Sequence, residues 1–231
     1  MLSVSHLYFV EFFMRNVIAA TAALIVSATV AYADDLNRWS GWDVGGFAGK
    51  WWVNANYCDF LSKCASNQFD PWVGGAMVTY DHEFANRFVL GARLSAVLAS
   101  SAQTHDVPPP VAAAGETIKA TSQWEGSADL IAGYDIDGHF MPYVGLGYAV
   151  ENDKITVNIP GVGTNDTQAT HNGVEFITGL NVAVDRHWDV GIAYVYDKFD
   201  TQHYQSGPPL GVNDQGSFTT NSLLGTIGYK F

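Results

Sequence analysis

Past residue 33 the sequence contains no stretch approaching the roughly 18 uninterrupted apolar residues that a transmembrane helix requires. A helical inner-membrane protein is therefore excluded, and a membrane protein of this sequence must cross as a closed barrel, the other structure that satisfies its own backbone in lipid. Positive charge is scarce: 11 Lys and Arg stand against 23 Asp and Glu, a formal balance of −12. Nucleic acid, whose phosphates call for Lys and Arg, is a poor partner for such a chain. Cysteine is nearly absent. Cys58 and Cys64 lie close together in a polar segment, with no His or further Cys beside them to make a metal site. In an exported chain they read as one short-loop disulfide. No cofactor or metal motif is read, and no composition shift divides residues 34–231, so one domain is expected there.

The beginning of the chain is different in kind. Met14, Arg15 and Asn16 precede an uncharged run that closes on Ala31-Tyr32-Ala33 before Asp34-Asp35. A basic start, an apolar middle and small residues at the cut describe a secretory signal, with cleavage expected after Ala33. Residues 1–33 are thus read as signal peptide and 34–231 as the mature domain. Glu11 sits badly just ahead of an apolar signal segment, which makes Met14 a candidate start of translation. The competing reading is a retained membrane anchor, for which the run is short.

From Gly41 onward, alternating segments rich in Val, Tyr, Phe, Trp, Thr and Gly predict eight strands at 42–57, 72–84, 88–101, 117–134, 139–157, 171–184, 188–204 and 217–231. Their connections alternate in kind. Three are short, at 85–87, 135–138 and 185–187, and four are long and polar or rich in Pro and Gly, at 58–70, 102–116, 158–170 and 205–216. Short turns on one rim and long loops on the other are the layout of a transmembrane barrel. The predicted fold is all-β: a closed, eight-stranded, antiparallel up-and-down transmembrane β-barrel.

Alternation assigns the faces. Phe88, Leu90, Ala92, Leu94, Ala96 and Leu98 share one side of the third strand, with Arg93 and Ser95 opposite. Trp124, Ala128, Leu130 and Ala132 oppose Gln123, Glu125, Ser127 and Asp129 on the fourth. Val144, Leu146 and Tyr148 oppose Gly145 and Gly147. Val174, Phe176, Leu180 and Val182 oppose Glu175, Gly179 and Asn181, and Trp188, Val190, Ile192 and Tyr194 oppose Asp189, Gly191 and Ala193. The apolar side is expected to face lipid and the small, charged side the lumen. Leu223, Gly225, Ile227, Tyr229 and Phe231 alternate up to the terminal carboxylate.

That ending resembles the signature, here Ile227, Tyr229 and Phe231, by which the barrel-assembly machinery recognises its clients. The strand motifs Trp39-Ser40-Gly41-Trp42-Asp43-Val44-Gly45-Gly46, Trp72-Val73-Gly74-Gly75, Phe88-Val89-Leu90-Gly91 and Pro142-Tyr143-Val144-Gly145-Leu146-Gly147-Tyr148 resemble those of the porin-like surface antigens of rhizobia and brucellae. These belong to the broader eight-stranded outer-membrane β-barrel superfamily. The resemblance implies an abundant protein of the outer membrane, in contact with lipid and lipopolysaccharide, with surface-exposed loops and a filled or narrow lumen. Its motifs specify strands, not chemistry, and the Cys58 to Cys64 pair departs from the pattern.

The inward charges Arg93, Glu125, Asp129, Glu175 and Asp189 are the candidate functional residues, as a lumen charge network that is either a gate or a static polar plug. Arg93 is expected to pair with Glu125 or Asp129 of the next strand, because an isolated buried carboxylate is costly. Catalysis is not expected. His171 and Glu175 share a strand face but lie roughly 13 Å apart along it, and no serine stands in an evident partnered position. Trp39, Trp42, Trp51, Trp52, Trp72, Trp124 and Trp188 are read as an interfacial girdle, with Trp51-Trp52 alternatively marking an adhesive loop. The stretch 107–115, with three consecutive prolines, reads as a surface tip open to host or surface ligands.

Overall fold

The computed structural model describes residues 38–58, 64–100, 103–106, 117–159, 161, 163–205 and 213–231. The expected signal cleavage site at Ala31 and Ala33 and the 107–115 tip lie outside them. The strands are β1 (Gly41–Cys58), β2 (Cys64–Phe69), β3 (Trp72–Glu83), β4 (Phe88–Ser100), β5 (Gln103–Asp106), β6 (Thr117–Tyr134), β7 (Phe140–Ile159), β8 (Gly163–Ala183), β9 (Trp188–Phe199), β10 (Gln202–Gln205) and β11 (Asn213–Lys230). Three of these prolong a neighbour. β2 leads into β3 across Asp70-Pro71, β4 into β5, and β9 into β10 across Asp200-Thr201. Pro71 has no N–H to give a ladder, which breaks the strand there; its carbonyl still accepts from the Trp51 N–H at 3.0 Å. Eight strand paths result.

Every neighbouring pair is antiparallel, and β1 pairs with β11 from Asp43↔Lys230 to Cys58↔Gln215, which closes the sheet on itself. Following register partners once around gives Asp43, Thr79, Arg93, Asp129, Gly147, Glu175, Asp197 and Thr220, and the path returns to β1 at Val53. Val53 is ten residues beyond Asp43, so the stagger is ten residues over eight strands. With a rise of ~3.3 Å and a strand spacing of ~4.8 Å, this fixes a tilt of ~40°.

The two faces separate as alternation requires. Leu90, Leu94, Leu98, Leu130, Leu146 and Val174 are exposed, whereas Arg93, Glu125, Ser127, Asp129, Glu175 and Asp189 are buried. Along β4 the outward apolar residues run from Phe88 to Leu98, and ten steps at this tilt cover a height of ~25 Å, the height of a lipid-spanning apolar band. Among the described residues no helix is long and apolar enough to cross a membrane; the strands do so. Trp42 on Tyr80, and Trp188 and Phe231 on Tyr229, form an aromatic belt near the short-turn rim. Exposed Trp72 and Trp124 mark the other level.

Several expectations are corrected. The segments 58–70, 102–116, 158–170 and 205–216 are not wholly loop: β2, β5, the first part of β8 and the first part of β11 occupy much of them. The strand ladders continue past the membrane because polar cross-strand pairs hold them. Thr156 donates to Asp166 at 2.6 Å, Lys154 meets Asp166 at 2.8 Å, and Gln68 donates to Asn54 at 2.9 Å. Gln123 faces outward, because a bulge between Ser122 and Trp124 shifts the alternation. Trp39 and Trp51 are buried inside the barrel, so only some of the tryptophans form the belt. Finally, the lumen is not simply small and charged. It also carries an apolar cluster that includes Val89, Val97, Ile131, Tyr143, Ile177 and Leu224.

The short turns are set by local chemistry. Arg87 and Asp137 take positive φ (67° and 57°), and Gly138 follows at 69°. Arg87 Nη1 reaches Asp137 Oδ1 at 3.1 Å, tying two adjacent turns together. Asp185 Oδ1 accepts the backbone N–H of His187 and of Trp188 at 2.8 and 2.9 Å. These two donors hold its carboxyl below the usual carboxylate range.

Candidate functional site

The lumen is stacked in four levels. At the short-turn mouth the backbone before β1 folds inward and places Trp39, 1% exposed, across the opening. Its N–H donates to Glu83 Oε2 at 3.1 Å, its indole Nε1 donates to Asp135 Oδ1 at 3.0 Å, and its carbonyl accepts from Lys230 Nζ at 3.0 Å. Arg38 donates from its side chain to the Asp185 carbonyl. Beside this plug lie Asp43, Asp81 and Asp189. Lys230 Nζ stands 3.7 Å from Asp81, and the Asp43 and Asp189 carboxylates both crowd over Gly228.

Ile131, Tyr143, Ile177, Ala193 and Leu224 belong to an apolar cluster that continues upward from Trp39, Val89 and Met141 at the mouth to Trp51. Glycines on the facing strands leave room for them. A Cβ at Gly145 would meet Ile177 and Ile131 at 2.5 and 2.6 Å, and one at Gly147 would strike the Asp129 carboxylate. A third level is acidic. Glu125, Glu151, Glu175 and Asp197 come from β6, β7, β8 and β9. Glu125 opposes Glu151 in register, and Glu175 opposes Asp197. Ser127 bridges Ser95 at 2.8 Å and donates toward Asp129 at 3.2 Å. A cavity of about 40 Å³ opens among Glu125, Asp129, Glu175 and Asp197, lined also by Trp51 and Ser222. That is room for about three water molecules. The fourth level closes the chamber from the outside with Ala149, Phe199 and Phe218. Fully buried His171 packs its ring on Phe218 at 4.8 Å, with Nδ1 3.1 Å from the Asp200 carbonyl and Nε2 3.7 Å from Asp153.

The five sequence-predicted charges are therefore divided. Arg93, Asp129, Glu125 and Glu175 line one cavity. Asp189 lies eight residues from Asp197 on the same strand, which at this tilt is ~20 Å nearer the short-turn mouth. Arg93 is the register partner of Asp129, but its guanidinium stands over the Tyr143 ring, 5.1 Å from the centroid, on the side away from Glu125. Glu151 and Asp197 were missed, although they continue the inward alternation of Gly147 and Asp189. Trp39 had no signal of this kind. Cys58 and Cys64 are register partners at the end of β1 and β2 and are joined by a disulfide. Ile227 and Tyr229 of β11 and Phe231 just after it follow the outward alternation, Ile227 and Phe231 exposed and Tyr229 partly buried.

Residues 18–231 match the family model of the outer membrane protein beta-barrel domain. The chain belongs to this family. It is a protein of the Gram-negative outer membrane, crossing with its strands. No curated protein matches it. Among solved structures, the outer membrane protein OprG of Pseudomonas aeruginosa is 16% identical with a TM-score of 0.52, covering 83% of this chain and 96% of its own. Neisserial surface protein A is 16% identical with a TM-score of 0.45, covering 83% and 98%. The Yersinia pestis attachment invasion locus protein Ail is 15% identical with a TM-score of 0.41, covering 83% and 99%. At these identities the likeness is one of fold.

Proposed function

We propose that this barrel is a structural, surface-exposed component of the outer membrane that contributes to envelope integrity and carries no current. The observation that supports this reading is the lumen filling: among the described residues, Trp39 lies across the inner mouth, an apolar cluster continues upward from it, and the cavity between that cluster and the outer one is about 40 Å³. A hydrated ion path needs continuous room, and both apolar levels interrupt it. The test is planar-bilayer recording of the refolded protein, with no resolvable openings expected; unitary steps of constant size would replace this reading with that of a narrow porin.

A second reading, contact with host or other surfaces, draws on the outer hairpins. They are ordered as strands and braced by the Cys58–Cys64 disulfide and the Lys154–Asp166 pair, so they offer a defined surface. Shortening the β7–β8 hairpin should abolish attachment and leave membrane insertion intact if this reading holds. The remaining assignments belong to the same proposal. Ile227, Tyr229 and Phe231 are offered to the assembly machinery, lipid and lipopolysaccharide are the surrounding partners, and the strand motifs support a place among the rhizobial and brucella-type surface antigens. We assign no reaction, since both ring nitrogens of His171 face Asp200 and Asp153.

A further inference from the structure

The acidic chamber gathers more carboxyl groups than cationic side chains. Glu125, Glu151, Glu175, Asp197 and Asp129 are all buried; among the described residues that line the cavity with Glu125, Asp129, Glu175 and Asp197 the one cation is Arg93, which turns to Tyr143. The barrel's stagger produces this meeting. Glu125 lies four residues outward of Asp129 on β6, whereas Glu175 and Asp197 lie on the Asp129 circuit two and three strands further round. At a tilt of ~40° each step around the barrel gains ~3 Å of height, so the three carboxylates reach nearly the same level. One oxygen from each of Glu125, Glu175 and Asp197 lies within 4.8 Å of the others.

We propose that these three side chains hold a divalent cation of calcium size inside the barrel. Calcium takes oxygen ligands at 2.3–2.6 Å, so ligands on opposite sides of the ion stand up to ~5 Å apart. Magnesium demands near-ideal octahedral geometry at 2.0–2.1 Å and keeps several of its waters, so a cage built mainly of protein oxygens suits calcium better. Two neutral donors stand beside the carboxylates and point to a ligand independently. Ser222, 1% exposed, lines the same cavity, and its Oγ has no hydrogen-bond partner among the described residues. Thr220, the register partner of Asp197, is likewise 1% exposed with an unpartnered Oγ1. Buried hydroxyls without partners are uncommon in native structures, and both are of the oxygen type that a hard cation takes. The cation would pin β6, β8 and β9 together at the chamber level, adding a cross-lumen tie to the hydrogen-bonded wall. This inference goes beyond the structural role proposed above and does not depend on whether the barrel conducts.

The experiment uses the whole refolded protein in a detergent free of lipopolysaccharide, stripped with EDTA and then titrated with Ca²⁺ by calorimetry. In parallel, Tb³⁺ luminescence is excited through tryptophan, because Trp51 lines the same cavity. One ion per chain is expected, with a higher unfolding temperature in Ca²⁺ than in EDTA. Glu175→Gln and Asp197→Asn should each weaken binding at least tenfold and remove the calcium-dependent stabilisation; Ser222→Ala, which keeps every carboxylate, should weaken it severalfold. Failure of the wild-type protein to bind at millimolar Ca²⁺ overturns the proposal and leaves shared protons as the means of neutralising the chamber. Binding undiminished in correctly folded Glu175→Gln and Asp197→Asn proteins also overturns it, since the ion would then sit elsewhere. If either carboxylate variant does not refold, the wild-type titration and Ser222→Ala decide the matter.

Discussion

Replacing Leu130 by Arg tests the assignment of faces at its most demanding point. Leu130 is 69% exposed on β6, four residues from Tyr134 at the inner belt and six from Trp124 at the outer one. At a rise of ~3.3 Å and a tilt of ~40° these intervals are ~10 and ~15 Å of height, which places Leu130 near the bilayer midplane. Its register partners Leu146 and Ala92 also face outward, so no polar group lies beside the new guanidinium. An Arg at that depth on the lipid face costs about 2–4 kcal/mol, whereas one near the interface costs about 0–1 kcal/mol. At 1.4 kcal/mol per factor of ten, Leu130→Arg should lower the folding equilibrium constant by roughly 30- to 1,000-fold, and Tyr134→Arg by less than about tenfold. The assay is reversible folding into phospholipid vesicles, titrated with urea and followed by tryptophan emission and by the heat-dependent mobility of folded barrels on gels. Equal costs for the two substitutions, or a Leu130→Arg protein within about 1 kcal/mol of wild type, would refute both the face and the depth.

Other outcomes follow from single contacts. Opening the Cys58–Cys64 bridge, which closes a loop with a sequence separation of 6, should cost about 2 kcal/mol by chain entropy; a Cys58→Ser, Cys64→Ser protein should keep its barrel and show faster proteolysis at the β1–β2 hairpin. Gly147→Ala should destabilise by about 1–3 kcal/mol through overpacking against the Asp129 side chain and the Ala128 carbonyl, with Asp129→Gly recovering only part of the loss in the double variant measured by the same urea titration. The Asp185 carboxyl is held low by two backbone donors, so its stabilising effect is present above the ordinary carboxylate range and is lost as the pH falls through its depressed value. Asp185→Asn should therefore lower the unfolding temperature at neutral pH and lose that difference in strong acid.

What could be read in the sequence was whatever repeats with period two. Phe88 to Leu98, Trp124 to Ala132 and Trp188 to Tyr194 alternate cleanly, and each turned the expected side to lipid. Parity also brought Glu125, Asp129 and Glu175 to the lumen, and carried further along β7 and β9 it would have reached Glu151 and Asp197. It failed where the chain slips by a residue, as at Gln123 beside the bulge. The hairpin arms were hidden because Thr, Asn and Asp are turn formers in isolation; only a partner strand, as Asp166 gives Thr156, makes them ladder residues. Trp39 was hidden more deeply. Its partners Glu83, Asp135 and Lys230 stand 44, 96 and 191 residues away, so no local pattern announces a plug assembled from separate turns.

The same stagger explains why the candidate site could not be found by parity alone. Inward direction is a property of one strand, but height in the lumen depends on position along the strand and on place in the circuit. Asp189 and Asp197 share a face of β9 and belong to different levels, one beside Lys230 and Trp39, the other beside Glu175. Glu125 and Glu175, far apart in sequence and offset by four residues in register, belong to the same one. A list of inward charges merges two sites, and the closed path of ten residues over eight strands separates them. It also predicts where their substitutions should act. Changes at Asp189 should disturb the Trp39 plug and leave cation binding unaltered, and changes at Glu125 should do the reverse, a pairing that tryptophan quenching and Tb³⁺ luminescence can read in the same two proteins.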